Sequence, residues 1–162
     1  MNILDKIFTY IFHVVGFNRV KAVMVLRRVL RVIDGDTSDT IDLKQIVTRV
    51  RKADINTPER GEPYYKEAKE KLKTLIEGKN IWLFTVKGND KDQYGRTVAY
   101  VFRGFVNINL VMVWLGLAEV VDPEYRDPFF HKQLLFAQSV ARFFRRGIWS
   151  TNRVKSKVVR LT

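Results

Sequence analysis

The chain has 162 residues, 46% of them hydrophobic, and its 29 Lys and Arg against 17 Asp and Glu give a net charge of +12. This size and apolar content exclude an intrinsically disordered chain and suit one domain with additions, while the absence of cysteine excludes disulfides and thiolate metal sites. The positive charge favours a polyanionic partner, either nucleic acid or an acidic membrane surface.

The first residues predict an amphipathic helix. Apolar side chains recur there at helical spacing, at Ile3, Leu4, Ile7, Phe8, Ile11, Phe12 and Val15. The segment is too short and too polar to span a bilayer, and it fits a secretory signal poorly. It is either a helix docked on its own domain, or a helix whose residues 1–16 bind a membrane surface or a protein partner. We therefore divide the chain into an N-terminal helix (1–18), a folded domain (19–150) and a basic tail (151–162).

Alternating apolar and polar residues predict strands in the next part of the chain. The run "RVKAVMVLRRVLRVIDGD" fits a half-exposed strand or hairpin. The alternation continues through "TIDLKQIVTRVRKADI", which places Val50 and Lys52 on one face and Arg49 and Arg51 on the other.

Helices and a hairpin follow. "PYYKEAKEKLKTLIEGK" predicts a helix ending at Gly78, and "IWLFTV" and "RTVAYVF" predict a β-hairpin. Asn107 is expected to cap a short apolar helix that ends at Gly116. "RDPFFHKQLLFAQSVARFFRRGIW" predicts a long helix capped by Asp127 and ending at Gly147.

The aromatic residues of this last helix spread beyond one stripe, which indicates a surface that another segment or a partner covers. The order of elements predicts an α+β domain, mainly β, in which helices pack beside a small antiparallel barrel.

Four acids crowd the stretch "VIDGDTSDTIDL": Asp34, Asp36, Asp39 and Asp42. Such a cluster is either a turn between strands or a site that holds a divalent cation against a phosphate. We interpret Asp34 as structural, and Asp39 and Asp42 as solvated loop acids. The two histidines, His13 and His131, lie in helical patterns, and we interpret them as structural or surface groups.

Several blocks occur in one order along the chain: "VIDGDT", "RKADINTPER", "PYYKEAKEKL", "DQYGRTVAYVF", "VNINLVMVWLGLAEV" and "GIW". From about Arg31 to Trp149 they resemble the staphylococcal nuclease (thermonuclease) family. The resemblance implies a five-stranded OB-fold barrel with three helices. It also implies Ca²⁺-dependent hydrolysis of phosphodiester bonds in DNA and RNA.

The resemblance assigns roles to individual residues. Asp36 would bind the metal ion together with Asn56 and the Thr57 carbonyl. Glu59 matches the general base, or the group that orients the attacking water. The residues that match the family's phosphate-binding arginines are Arg51 and Arg96. For binding the nucleotide the candidates are Tyr94 and, less closely matched, Tyr125.

One departure concerns the cation. Asn56 stands where the family commonly has a second carboxylate on the metal, and an amide oxygen coordinates without contributing charge. In an extended segment Asp54 would share a face with Asn56, so we expect that it could partly compensate. The phosphate-binding groups and the base are retained, while the metal site is weakened.

Two functions follow from these residues. The first is a metal-dependent nuclease that uses Ca²⁺ or another divalent cation. The second is a weakened nucleic-acid-binding or scaffold subunit of a larger assembly, which the Asn56 replacement and the apolar N-terminal segment favour.

Overall fold

The computed structural model describes residues 22–86, 90–121 and 127–150. Its strands are β1 (Ala22–Val32), β2 (Thr37–Ile41), β3 (Val47–Lys52), β4 (Ile55–Asn56), β5 (Asn80–Val86), β6 (Thr97–Arg103), β7 (Val106–Asn107) and β8 (Glu119–Val120). Its helices are α1 (Tyr65–Ile76), α2 (Ile108–Trp114) and α3 (Pro128–Phe143), followed by a 3₁₀ turn, Gly147–Trp149. The predicted N-terminal helix and basic tail lie outside the described residues.

Five strands close into a barrel. The antiparallel order β3-β2-β1-β5-β6 is completed by a parallel pairing of β3 with β6, in which Arg51 lies opposite Val98. β7 extends the edge of β6, and β4 and β8 form a separate two-residue ladder. This arrangement, with its three helices, confirms the predicted α+β fold and the OB-type barrel.

The alternation predicted through residues 40–55 does not form one continuous strand, because a tight turn separates β2 from β3. Asp42 lies in this turn, and its Oδ1 accepts hydrogen bonds from the backbone amides of Lys44 and Ile46, each at 2.9 Å. Gln45 adopts a positive φ of 65° there. Asp42 is a loop acid as predicted. Asp39 lies in β2 with only 5% of its surface exposed, so its interpretation as a solvated loop acid is wrong.

The core lies inside the barrel and beneath the helices. α1 buries Ala68, Leu72 and Ile76 on one face, as its helical spacing predicts. At the start of α3 the ring of Phe130 packs 5.2 Å from Phe84 and 4.7 Å from Tyr100, measured between ring centroids. α3 is therefore anchored on strands β5 and β6 by aromatic contacts.

The start of α3 agrees with the sequence prediction, and its end does not. Asp127 caps the helix by accepting from the amides of Phe129 (3.0 Å) and Phe130 (3.1 Å), as predicted. The helix ends at Phe143 and not at Gly147. Gly147 instead packs against the backbone of Gly116, where an added Cβ would lie 2.1 Å from the Gly116 carbonyl oxygen. This contact fixes the "GIW" turn against the end of α2.

None of the helices in the described ranges has the length and apolar character that crossing a bilayer would require.

Candidate active site

The turn between β1 and β2 carries the acid that the family resemblance singles out. Asp34 Oδ1 accepts a 3.1 Å hydrogen bond from the backbone amide of Asp36, which confirms the structural role expected for Asp34. Burial, and then the charge of Asp36, raise the pKa of Asp34. The side chain of Asp36 is almost completely buried, so its oxygens must be satisfied by specific partners.

The partners of Asp36 are the neighbouring Thr37 and residues of the segment that contains β3 and β4. Its Oδ2 accepts from Arg51 Nη1 at 2.8 Å and from the Thr57 amide at 3.3 Å, and its Oδ1 accepts from the Thr37 hydroxyl at 2.8 Å. The same guanidinium donates through Nη2 to Asn56 Oδ1 at 3.3 Å. Arg51 therefore bridges the two predicted metal-ligating side chains, and both of its terminal nitrogens are oriented by them.

Gly35 permits this approach of the two segments. A Cβ at this position would lie 2.7 Å from Thr57 Oγ1 and 2.8 Å from Thr57 Cβ, closer than side-chain atoms can pack. The glycine in "DGDT" is thus required because the Thr57 side chain fills the space beside it.

Lys52 lies directly beneath Asp36. Its backbone amide and its Nζ both donate to the Asp36 carbonyl oxygen, at 2.9 Å and 3.5 Å. Only 1% of its surface is exposed, and this burial lowers the pKa of Lys52 to about 8, although the charge of Asp36 opposes the effect. Lys52 is buried on the same side of β3 as Val50, which agrees with the shared face that the alternation predicts, but sequence reasoning missed its place beneath the predicted metal ligand.

Arg96 stands at the start of β6, which pairs in parallel with β3 and so lies beside the strand that carries Arg51. Its Nε donates to Asp92 Oδ2 at 2.6 Å, and its guanidinium carbon lies 5.3 Å from the centre of the exposed Tyr94 ring. Burial acts to raise the pKa of Asp92, but the hydrogen bonds from Arg96 and nearby amides outweigh it and lower that pKa. Arg96 is therefore held by a fixed negative charge, with an aromatic ring alongside.

Glu59 lies in the loop two residues after Thr57. Its backbone amide donates to Glu62 Oε2 at 2.8 Å, and its side chain is exposed. Over the residues that the structure describes, no hydrogen bond joins the Glu59 carboxylate to Asp36 or Arg51. The structure thus brings Asp36, Arg51, Asn56 and Thr57 together, and Glu59 follows Thr57 by two residues with its side chain exposed to solvent.

Asp54 faces a different part of the molecule. The prediction that it lies in an extended segment beside Asn56 is wrong, because its φ is 61°. Its Oδ2 accepts from the Tyr100 hydroxyl at 2.5 Å and lies 3.2 Å from His131 Nδ1. Burial, and then the charge of Asp54, raise the pKa of Tyr100. These contacts direct Asp54 into the core and confirm the structural interpretation of His131.

The oxygen atoms near Asp36 are of the type that a hard cation binds, but together they carry little negative charge. Within residues 22–86, 90–121 and 127–150 no cluster of three or more His, Cys, Asp or Glu side chains is placed to hold a metal ion. The oxygen atoms that meet there belong to the Asp36 carboxylate and the Asn56 side-chain amide, both bonded to Arg51, and Ca²⁺ accepts oxygen ligands of both kinds. With Asn56 neutral and Asp54 turned toward Tyr100 and His131, Asp36 supplies the one carboxylate of this donor set.

Tyr125, the second predicted nucleotide-binding tyrosine, lies outside the described residues.

Comparison with known proteins agrees with this geometry. A sequence profile described as "Staphylococcal nuclease homologue" matches residues 49–151. An uncharacterized endonuclease of Escherichia coli O157:H7 is 36% identical over 124 residues, which cover 76% of each chain. A thermonuclease of Staphylococcus hyicus is 33% identical, with 76% of this chain and 75% of the other covered. A micrococcal nuclease of Shigella flexneri is 32% identical, with coverage of 75% and 72%. The chain belongs to the staphylococcal nuclease family.

Proposed function

We propose that the protein is a nuclease that hydrolyses phosphodiester bonds of DNA or RNA with the help of Ca²⁺ or a similar divalent cation. The observation that carries this proposal is the convergence of Asp36, Arg51, Asn56 and Thr57 at one point, beside strand β6, which directly follows Arg96. Its relatives include a thermonuclease and a micrococcal nuclease, and this kinship supports the same reaction.

The two arginines would bind the phosphate that is cut. A guanidinium group is planar, stays charged and can donate two parallel hydrogen bonds to phosphate oxygens. Arg51 is oriented by Asp36 and Asn56, and Arg96 by Asp92, so neither has to be ordered when the substrate binds. Such preorganised charge stabilises the additional negative charge of the transition state.

Glu59 would position the attacking water and accept its proton. Its side chain is exposed two residues after Thr57, so a water molecule and a nucleic-acid strand would both have access to it. Tyr94, three-quarters exposed beside Arg96, provides a surface on which a base can stack.

Asp36, Asn56 and the Thr57 carbonyl would hold the cation. When bound, the cation would neutralise phosphate charge and polarise the scissile bond. Because only Asp36 brings a charge to this set, we expect a lower affinity for Ca²⁺ than a site with two carboxylates would have.

Cleavage of labelled single-stranded DNA and RNA tests the proposal. We expect the full chain to cleave with Ca²⁺ or Mn²⁺, to stop with chelator, and to lose at least about a hundredfold in rate in Glu59→Gln. Glu67→Gln, which changes an exposed glutamate on α1, should keep the full rate. Cleavage that persists in Glu59→Gln would contradict the assigned base.

The second candidate is a binding subunit that has lost turnover. The replacement of a metal-ligating carboxylate by Asn56 favours it. In that case the same assays would give salt-sensitive binding of the oligonucleotide without cleavage in any divalent cation.

A membrane or protein partner stays a prediction. α3 exposes Phe129, Phe136 and Phe143 in addition to the Phe144 that follows it, which agrees with the predicted excess of aromatic residues. Residues 1–16 lie outside the described part of the chain. Sedimentation with anionic vesicles, with and without residues 1–16, tests the membrane interaction, and equal sedimentation of both chains would exclude a role of this segment.

A further inference from the structure

Three charged side chains form a row across the first three strands. Arg31 on β1 lies opposite Asp39 on β2, and Asp39 lies opposite Arg49 on β3. Asp39 accepts from Arg31 Nε at 2.8 Å, and from Arg49 Nε and Nη2 at 2.8 Å and 3.2 Å. One carboxylate thus aligns two guanidinium groups side by side.

The two arginines of the row carry more positive charge than is required to offset the burial of the Asp39 carboxylate. The Asp39 side chain is only 7% exposed, so it requires one cationic partner to offset its burial, and a second arginine is surplus. Hydrogen bonds from Arg49, and then from Arg31, hold the pKa of Asp39 below its usual value against the effect of burial, so its charge is fixed at neutral pH. The arginine side chains remain 67% and 49% exposed. Exposed ion pairs contribute little to stability, so stability does not account for the second arginine.

The row lines a cleft that also contains Tyr94 and Arg96. An open cleft of about 510 Å³ is lined by Arg31, Asp39, Arg49, Tyr94 and Arg96, together with Val47 and Gly95. On β3, Arg49 and Arg51 are two residues apart and so lie on one face, separated by about 7 Å. This separation is comparable with the distance between neighbouring phosphates of a nucleic-acid strand.

We propose that Arg31 and Arg49, aligned by Asp39, form a second phosphate subsite that binds a single-stranded polynucleotide beside the phosphate held by Arg51 and Arg96. This proposal rests on the proposed function, because it assumes that Arg51 and Arg96 bind the scissile phosphate. The strand would cross β1, β2 and β3 with one base stacked on Tyr94. The preferred substrate is then an oligonucleotide, not a compound with a single phosphodiester.

Binding measured by fluorescence anisotropy tests the subsite without requiring cleavage. The probe is a labelled oligothymidylate of about 16 nucleotides, with chelator present and salt varied from about 50 mM upward. Arg31→Gln and Arg49→Gln each leave Asp39 one arginine, and Lys71→Gln on the exposed side of α1 is the matched control. We expect each arginine variant to weaken binding roughly three- to tenfold and to reduce the salt slope by about 0.7, with no such reduction in Lys71→Gln.

Cleavage kinetics separate this proposal from the proposed function. For the oligonucleotide, KM should rise in Arg49→Gln with kcat unchanged, whereas a dinucleoside monophosphate should be cut equally by both proteins because it has no second phosphate. If the unsubstituted chain cleaves, and the arginine variants match Lys71→Gln in affinity, salt slope and KM, the subsite is refuted and the nuclease stands. If the unsubstituted chain binds the oligonucleotide but never cleaves it, and the arginine variants show the predicted reduction in salt slope, the subsite is supported and the nuclease is refuted.

Discussion

Lys52→Met removes a buried positive charge from beneath Asp36 while keeping a side chain of similar volume. The pKa of Lys52 is about 8 in the folded protein against 10.5 for an unperturbed lysine. The unfolded chain therefore holds the proton more tightly, and keeping Lys52 charged in the folded protein at pH 7 costs on the order of 3 kcal/mol. The hydrogen bond from Nζ to the Asp36 carbonyl, at 3.5 Å, is too long to offset this cost.

The sign of the pH dependence follows from the lowered pKa. Between pH 8 and 10.5 the unfolded chain binds more protons at Lys52 than the folded protein does, so stability rises with pH in this window. Lys52→Met cannot titrate there. We expect the variant to be more stable at pH 7 by about 2–3 kcal/mol, and the difference between the two proteins to close near pH 10.5.

Urea unfolding at both pH values, with chelator present, measures this difference. Lys71→Met on the exposed side of α1 is the control and should change the free energy of unfolding by less than about 0.5 kcal/mol. A Lys52→Met variant that is less stable at pH 7 would contradict this prediction, because it would mean that Asp34 and Asp36 stabilise the ammonium group more than burial penalises it.

Three further substitutions test the geometry. Gly35→Ala should separate the Asp36 turn from Thr57, which should lower the free energy of unfolding in urea by about 1–3 kcal/mol and weaken Ca²⁺ binding in calorimetry. Unchanged values would mean that the Thr57 side chain moves aside at no cost. Asn56→Asp should raise Ca²⁺ affinity at least about tenfold in calorimetry, and an unchanged affinity would show that Asn56 does not contact the ion. Tyr100→Phe should destabilise the fold by about 1–3 kcal/mol in urea unfolding, since it removes a partner of the buried Asp54, and equal stability would contradict that role.

The strands and the starts of two helices could be predicted from local patterns in the sequence. Alternation gave the strands, and the capping residues Asn107 and Asp127 gave the starts of α2 and α3, because these signals act within a few residues. The end of α3 was predicted incorrectly because the position of Gly147 depends on its contact with Gly116, which joins distant parts of the chain. Local sequence does not encode such contacts.

The site was predictable where residue type and spacing carry the chemistry. The convergence of Asp36 with Arg51 and Thr57 agrees with the blocks that resemble the family. Asp39 and Asp54 were misjudged for one physical reason: each is buried against partners that only strand pairing or helix packing brings near. An acid beside a turn looks the same in sequence whether it faces water or the core.

In the proposed nuclease, Arg51 and Arg96 bind the same phosphate. ¹H–¹⁵N NMR of the arginine Nε–Hε groups during titration with thymidine monophosphate tests it most directly, with each signal assigned by its Arg→Lys variant. We expect the Arg51 and Arg96 signals to shift together with one shared Kd, while the Arg103 signal does not move. Shifts with two different Kd values, or a shift of only one of the two arginines, would contradict it.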